Sequence, residues 1–212
     1  MTSDPFLRAG IDAAHTLLMQ GDAAAAEPRL RRLLETHVDH VELLNLLAMA
    51  QIRLGQRPQA MQTLQHALAV YPDDPLSLNS HGLLAEELGD RAAALASFSR
   101  LLVQQPGNFA ARLHRGRLYE ALGERHQALV AYSRALNDAR AQGRWISDAT
   151  TSPALRDAVL HAVRVVRQGT RELFAASYAP LQQKFGAAAL KRVETCLLAH
   201  LGERPMASPD PR

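Results

Sequence analysis

Residues 72–106 read PDDPLSLNSHGLLAEELGDRAAALASFSRLLVQQP, and this stretch decides the fold. It begins and ends with a proline, and Pro72 and Pro106 lie 34 residues apart. Each proline follows a run of apolar residues at helical spacing and opens a short polar turn, because proline cannot continue a helix. A 34-residue distance between two helix stops indicates that the chain is built from repeated units.

The same spacing continues in both directions without a gap. With the two prolines at position 32, four units cover residues 7–40, 41–74, 75–108 and 109–142. Position 15 is glycine and position 20 is alanine in every unit, while position 24 is bulky and position 8 is small. In chain order these positions hold Gly21, Gly55, Gly89 and Gly123; Ala26, Ala60, Ala94 and Ala128; Leu30, Leu64, Phe98 and Tyr132; and Ala14, Ala48, Gly82 and Gly116.

Each recurring residue has a structural reason. Glycine at position 15 ends the first helix of a unit, since a left-handed residue is tolerated best without Cβ. Small residues at positions 8 and 20 let two antiparallel helices approach, and the bulky residue at position 24 fills the gap between neighbouring units. The pattern predicts two helices per unit, near residues 7–20, 23–36, 41–54, 57–70, 75–88, 91–104, 109–122 and 125–140.

This pattern resembles the tetratricopeptide repeat family, whose unit has the same length and landmarks. The resemblance covers residues 7–142 and implies an all-α fold, a superhelix of four helix-turn-helix repeats with a C-terminal helical extension. Two features depart from the family, although terminal units are commonly atypical. Position 4, often Trp in the family, is Gly10, Leu44, Leu78 and Arg112, and the terminal proline is replaced by Val38 in the first unit and Arg140 in the fourth.

The 34-residue rhythm stops after Gln142. Residues 143–151 read as a connecting loop, and Ser152-Pro153 indicates a helix start, a cap followed by proline at the first helical position. An apolar stripe at helical spacing follows, and the break at Gly186 precedes a final helix. We therefore expect four repeat units in residues 1–142, a C-terminal helical extension in residues 143–202 and a Pro-rich linker in residues 203–212.

The extension resembles a second family through Trp145, residues 150–156, Leu173-Phe174 and residues 201–203. These residues are similar to the helical region that precedes the catalytic domain of bacterial aspartyl/asparaginyl β-hydroxylases containing tetratricopeptide repeats. The resemblance implies that a longer parent carries a domain binding Fe(II) and 2-oxoglutarate after the linker. No catalytic residue of that family has a counterpart in this chain.

Composition favours helices and excludes several classes of protein. Ala and Leu dominate, while aromatic residues make up only 5% of the chain, a balance that favours helices over strands. The formal net charge of +3 is too small to indicate nucleic acid as a partner. No apolar run approaches the roughly 18 residues of a membrane span, and no secretory signal is visible. A single cysteine, Cys196, excludes an internal disulfide, so we expect a cytoplasmic protein with no nucleic-acid and no membrane partner.

Three groups of residues have the spacing of a chemical site, and in each a structural interpretation is stronger. The turn at residues 37–40 reads HVDH, which includes the spacing of two iron ligands, but solvated residues are expected in a turn. Cys196 lies in an apolar pattern typical of a buried side chain. Arg164, Arg167 and Arg171 share a helix face, which solvation explains. We therefore expect no catalytic residue, no metal, no cofactor and no enzymatic activity in this chain.

The resemblance to tetratricopeptide repeats also implies a binding surface. In that family, positions 2, 5, 9, 12 and 13 of each first helix line the concave groove. Asn45 and Asn79 share position 5 in adjacent units, so their amides could bond a peptide backbone, although ordinary solvation explains them equally well. The expected peptide-groove residues are Arg8, His15, Asn45, Met49, Arg53, Asn79, Leu83, Glu87, Leu113 and Arg117, and the same positions add Ile11, Leu18, Met19, Glu42, Ile52, Leu76, Glu86, Ala110, Glu120 and Ala121.

Three functional hypotheses follow. The first is a protein–protein interaction scaffold that binds a protein or peptide ligand, as an extended peptide or a helix, in the concave groove. The second is the non-catalytic N-terminal part of an Fe(II)/2-oxoglutarate-dependent hydroxylase, which presents substrate to a catalytic domain outside this chain. In the third, the extension folds back into the groove or forms a homodimer through the C-terminal helices, because its apolar stripe must be covered.

Overall fold

A computed structural model of the protein describes residues 5–141, 157–158, 160–166, 168–169 and 172. The regular secondary structure of these residues is helical throughout, which confirms the predicted all-α fold. The residues described between 157 and 172 are helical as well. Eight helices precede them: α1 (Pro5–Met19), α2 (Ala23–Thr36), α3 (Val41–Arg53), α4 (Arg57–Val70), α5 (Pro75–Glu87), α6 (Arg91–Gln104), α7 (Phe109–Ala121) and α8 (Arg125–Ala141).

The predicted helix bounds are confirmed to within one or two residues. The glycines at position 15 end the first helix of each unit as expected, because all four have a positive φ. The values are +86° at Gly21, +74° at Gly55, +83° at Gly89 and +77° at Gly123. A side chain with Cβ rarely adopts this backbone conformation, so the recurrence of glycine at this position is a requirement of the turn.

Polar side chains determine where several helices begin. Asp22, Asp74, Asp90 and Asn108 are the N-caps of α2, α5, α6 and α7, and each accepts a hydrogen bond from the backbone N–H three residues further on. This bond satisfies an N–H group that the first turn of a helix leaves without a partner. Turns within units, at Asp22 and Asp90, and turns between units, at Asp74 and Asn108, are therefore specified by local side-chain chemistry.

The core is built from matched residues at positions 8 and 24 of the same unit. Gly82 on α5 lies under the ring of Phe98 on α6, and Gly116 on α7 lies under the ring of Tyr132 on α8. A Cβ on either glycine would overlap the ring, and both rings are fully buried. Position 24 thus fills space inside its own unit as well as between units, where Phe98 stacks on His114 with 5.0 Å between ring centroids.

The described part of the extension packs against the fourth unit. Ala162 and Val166 are buried in one cluster with Tyr132, Ala135 and Ala139 of α8. This contact covers part of the apolar stripe that motivated the third hypothesis. The described residues of the extension therefore do not fold back along the groove but continue the stack of units.

Other predictions for the extension lie outside the described residues. These are the loop at 143–151 with Trp145, Arg167, Arg171, the final helix with Cys196, and the Pro-rich linker at 203–212. Within the described ranges, no helix has the length and apolar character needed to cross a membrane.

Candidate functional site

The ten predicted groove residues differ widely in exposure. Two of them, Met49 and Asn79, are half-buried. Another two, Asn45 and Leu113, are only 8% and 2% exposed. The six exposed residues are Arg8, His15, Arg53, Leu83, Glu87 and Arg117.

Leu113 is buried and does not face an open groove. Its side chain packs in the same cluster as Ala162 of the extension. Ile11, at the same position of the first unit, is likewise buried, in a cluster with Leu43 and Leu47 of α3. Ile11 and Leu113 therefore lie where one first helix meets the helix that stacks on it, so both side chains are covered by the segment that follows.

The Asn45 side chain is also engaged within the fold. Its amide nitrogen donates to Asp74 Oδ2 at 2.9 Å, and its oxygen accepts a hydrogen bond from the Ser77 hydroxyl at 2.8 Å. Burial alone would raise the pKa of Asp74, but hydrogen bonds from Ser77, Asn45 and Leu76 lower it below its ordinary value. This network joins the second unit to the third.

Asn79 differs from Asn45 although the two share position 5. The Asn79 side chain is half-buried and forms no side-chain hydrogen bond with the described residues. Its amide can therefore donate to or accept from a ligand without breaking a contact of the fold. Asn79 remains a candidate for the groove.

Two of the predicted charged residues form contacts between units. The Arg53 guanidinium on α3 donates a hydrogen bond to the backbone carbonyl of Leu18 on α1. Arg57, at the start of α4, pairs with Glu87 at the end of α5, with Arg57 Nε 2.6 Å from Glu87 Oε1. Replacing Arg53 or Glu87 would therefore change the junctions between units as well as the charge of the groove.

A histidine–glutamate pair links the third unit to the fourth. His114 Nδ1 on α7 lies 2.7 Å from Glu86 Oε2 on α5, beside the stacking contact with Phe98. Arg117 approaches the same carboxylate at 3.7 Å. Burial alone would raise the pKa of Glu86, but the hydrogen bond from His114 and the charges of His114 and Arg117 lower it below its ordinary value.

An equivalent pair links the fourth unit to the extension. His161 Nε2 lies 2.8 Å from Glu120 Oε2 on α7, and the same oxygen accepts a hydrogen bond from the Tyr132 hydroxyl at 2.8 Å. The rings of His161 and Tyr132 meet edge-on, with centroids 5.9 Å apart. Burial raises the pKa of Tyr132, and the bond to Glu120 raises it further.

The two pairs show how the extension is placed. His114 contacts Glu86 and Phe98, at positions 12 and 24 of the third unit. His161 contacts Glu120 and Tyr132, at the same two positions of the fourth unit. The described helical residues of the extension therefore occupy the place of the first helix of a fifth unit. The sequence pattern misses this because the two histidines lie 47 residues apart, one 34-residue repeat plus 13.

Exposed apolar side chains of the groove set are concentrated on α5. Leu76 and Leu83 are 58% and 40% exposed, and they lie seven residues apart, two turns along one face of the helix. Asn79 lies between them on that face. Met19, at the end of α1, is also exposed, and Arg117 supplies a charge on α7. Apolar side chains flanked by polar groups are typical of a surface that binds another chain.

Where the structure describes them, the residues that have the spacing of a chemical site either contact other side chains of the fold or are exposed to solvent. Asp39, in the turn at residues 37–40, contacts His66 Nε2 at 2.9 Å. Arg164 is exposed on the extension. In the part of the chain that the structure describes, no group of three or more His, Cys, Asp or Glu side chains is arranged to hold a metal ion.

Comparisons with solved structures show the same fold in other proteins. A crystal structure of MamA protein is 16% identical with a TM-score of 0.63, covering 84% of this chain and 94% of that one. MamA residues 41 to the end from Desulfovibrio magneticus RS-1 are 14% identical with a TM-score of 0.62, covering 81% and 96%. YrrB, described as a TPR protein with an unusual peptide-binding site, is 21% identical with a TM-score of 0.56, covering 62% and 68%.

Sequence comparisons identify the repeats themselves. No curated protein sequence matches the chain. Two family models, both described as tetratricopeptide repeat, match residues 17–80 and residues 79–144. Neither match includes the extension beyond residue 144, and its resemblance to the hydroxylase-associated region gains no support. Residues 17–144, more than half of the chain, therefore belong to the tetratricopeptide repeat family.

Proposed function

We propose that this protein is a protein-interaction scaffold that holds a peptide or an amphipathic helix against the first helices of its units. The observation that carries the proposal is the exposed apolar face of α5, formed by Leu76 and Leu83. These side chains have no covering element among the described residues. Covering them with a ligand would contribute about 1 kcal/mol each at the usual value per apolar area.

Polar residues beside this face would fix the orientation of a bound peptide or helix. The Asn79 amide lies between the two leucines and is able to bond a peptide backbone. Arg117 and His15 are exposed at position 9 of the fourth and first units, and they suit acidic groups on a ligand. The peptide-binding site ascribed to YrrB is consistent with a ligand of this kind on the same fold.

The proposal is tested with two matched variants of α5. Peptides are selected from a random display library on the immobilised full chain, and the affinity of a selected peptide is measured by calorimetry. Leu83→Gln changes the proposed contact, while Leu88→Gln changes a leucine of similar exposure at the C-terminal cap of the same helix. Positions 83 and 88 point about 140° apart around α5, so only the first variant lies on the proposed face.

We expect Leu83→Gln to weaken the selected peptide about tenfold, which corresponds to about 1.4 kcal/mol. Leu88→Gln should leave the affinity unchanged, and both variants should keep the helical circular dichroism of the parent. Failure to select any peptide, or equal affinities for the two variants, would contradict the proposal.

A further inference from the structure

A second candidate site lies in the fourth unit, on the side of α7 away from the groove residues. A cavity of about 210 Å³ opens between α7 and α8. The cavity is independent of the peptide surface, because Arg115 of the cavity and Arg117 of the groove point about 160° apart around α7. The residues that line the cavity are Arg112, Arg115, Tyr119, His126, Gln127, Val130, Ala131 and Arg134.

The cavity is lined by positive groups. Three arginines and a histidine are among its lining residues, and no carboxylate is among them in the part of the chain described. Arg112 is balanced by Asp138, whose Oδ2 lies 2.7 Å from Arg112 Nε. Arg115 and Arg134 have no salt bridge to a described carboxylate. The cavity therefore carries an excess of positive charge.

The arginines stand where the second unit has apolar residues. Positions 4 and 7, which hold Arg112 and Arg115 here, hold Leu44 and Leu47 in the second unit, and both leucines are buried. The fourth unit thus has two cationic side chains at positions where the second unit has two buried apolar ones. Such an exchange costs free energy unless the guanidinium groups find acceptors.

Arg115 lacks a full set of acceptors. Its Nη2 is 3.3 Å from the Tyr119 hydroxyl, and its guanidinium lies 5.6 Å from the centroid of the Tyr119 ring. Its Nε is buried and has no hydrogen-bond partner among the described residues. An oxyanion in the cavity would supply both acceptor atoms and negative charge to this group and to Arg134.

We propose that this cavity binds the phosphate group of a phosphate monoester. Guanidinium groups offer several N–H donors in a fixed plane, and a tetrahedral dianion presents enough oxygens to accept from more than one of them. The cavity is smaller than the roughly 300–1,000 Å³ of a site for a drug-sized ligand, so a single compact charged group suits it.

The test uses the full chain and three variants. Thermal unfolding is followed while sodium phosphate is titrated against sodium chloride at matched ionic strength. Arg134→Gln removes an exposed cation of the cavity, and Arg115→Leu restores the residue type of the second unit. Arg91→Gln, an exposed arginine at the start of α6, is the control with the same change of charge.

We expect phosphate to raise the unfolding temperature of the parent and of Arg91→Gln in a saturable way. The concentration needed for half of the effect should rise at least about tenfold in Arg134→Gln and in Arg115→Leu. An unsaturable response, or the same response in all four proteins, would overturn the proposal. The second result would mean a general salt effect.

The source of the phosphate group is distinguished by a second titration. Free phosphoserine, a phosphoserine peptide and its unphosphorylated form are compared by calorimetry. Equal affinity for the two phosphorylated probes supports a small-molecule ligand, and tighter binding of the phosphopeptide supports a modified protein partner. If the unphosphorylated peptide binds as well as the phosphorylated one, the cavity does not recognise phosphate. Selected groove peptides should bind Arg134→Gln normally, so the two proposals fail independently.

Discussion

At the residue scale, positions 8 and 24 of a unit behave as one matched pair. Ala14 and Ala48 occur with leucine at position 24, whereas Gly82 and Gly116 occur with an aromatic ring. A Cβ built on Gly82 would lie 2.9 Å from the nearest atoms of the Phe98 ring, which is fully buried and cannot move into solvent. The size of one residue is therefore limited by the size of the other.

Gly82→Ala should destabilise the protein by about 1–2 kcal/mol. The overlap with Phe98 costs about 1–3 kcal/mol, and the gain of about 1 kcal/mol from alanine in a helix offsets only part of it. Phe98→Leu alone should also be destabilising, because it leaves a cavity beside glycine. The double variant, Gly82→Ala with Phe98→Leu, recreates the alanine–leucine pair of the second unit. Its free energy of unfolding should exceed the value expected from adding the two single changes by about 1 kcal/mol or more. Urea unfolding of the four proteins measures this coupling, and additive effects would contradict the pairing.

A second residue-scale prediction concerns the buried ring of His81. Burial lowers its pKa from the ordinary value of 6.5, an effect partly opposed by the charge of Asp90. Between the two pKa values, the imidazole is therefore protonated in the unfolded chain and neutral in the folded protein. As the pH falls below about 6.5, the free energy of unfolding should decrease until the lower pKa of the folded protein is passed.

His81→Leu should flatten the pH dependence of stability between about pH 7 and pH 5. The second unit has leucine at the same position, Leu47, and Ser97 keeps its hydrogen bond to the Ala93 carbonyl when the imidazole is removed. Urea midpoints across this pH range measure the effect, with the exposed His15→Leu as control. An unchanged slope in His81→Leu would show that this histidine does not titrate as described.

At the element scale, the sequence predicts the eight helices well because their ends depend on neighbouring residues. Glycine with positive φ ends each first helix, and Asp or Asn side chains cap four helix starts within three residues. Such signals are local, so a repeat alignment captures them. The glycines at position 8 of the third and fourth units are explained by the aromatic ring at position 24 that packs over them, and the repeat pattern contains both positions.

The groove was predicted less well, because exposure depends on contacts between units. Asn45 and Asn79 share one position, yet Asn45 is bound by Asp74 and Ser77 and Asn79 is not. The partners of Asn45 lie about one repeat away, and nothing near it in the sequence indicates them. Arg53 likewise bonds a carbonyl of the preceding unit. Family positions indicate the face of a helix but not which of its side chains the neighbouring unit occupies.

At the scale of the whole molecule, the units and the extension form one stack. Each unit leaves an apolar side that the next unit covers, as expected of repeat proteins whose stability comes from neighbouring contacts. The fourth unit is covered by the described residues of the extension, through Ala162 and Val166. The extra 13 residues before this contact explain why the repeat pattern stops while the stacking continues.

The most direct test of the continuous stack is the urea midpoint of Val166→Asp compared with Leu160→Asp. Val166 is 8% exposed against α8, and Leu160 is 45% exposed, so the same acidic residue is placed on the buried and the open side of one segment. We predict that Val166→Asp lowers the stability by about 1–3 kcal/mol, because a carboxylate cannot stay in that contact. Leu160→Asp should change it by less than about 0.5 kcal/mol. Equal midpoints for the two variants would contradict the stacking of the extension on the fourth unit.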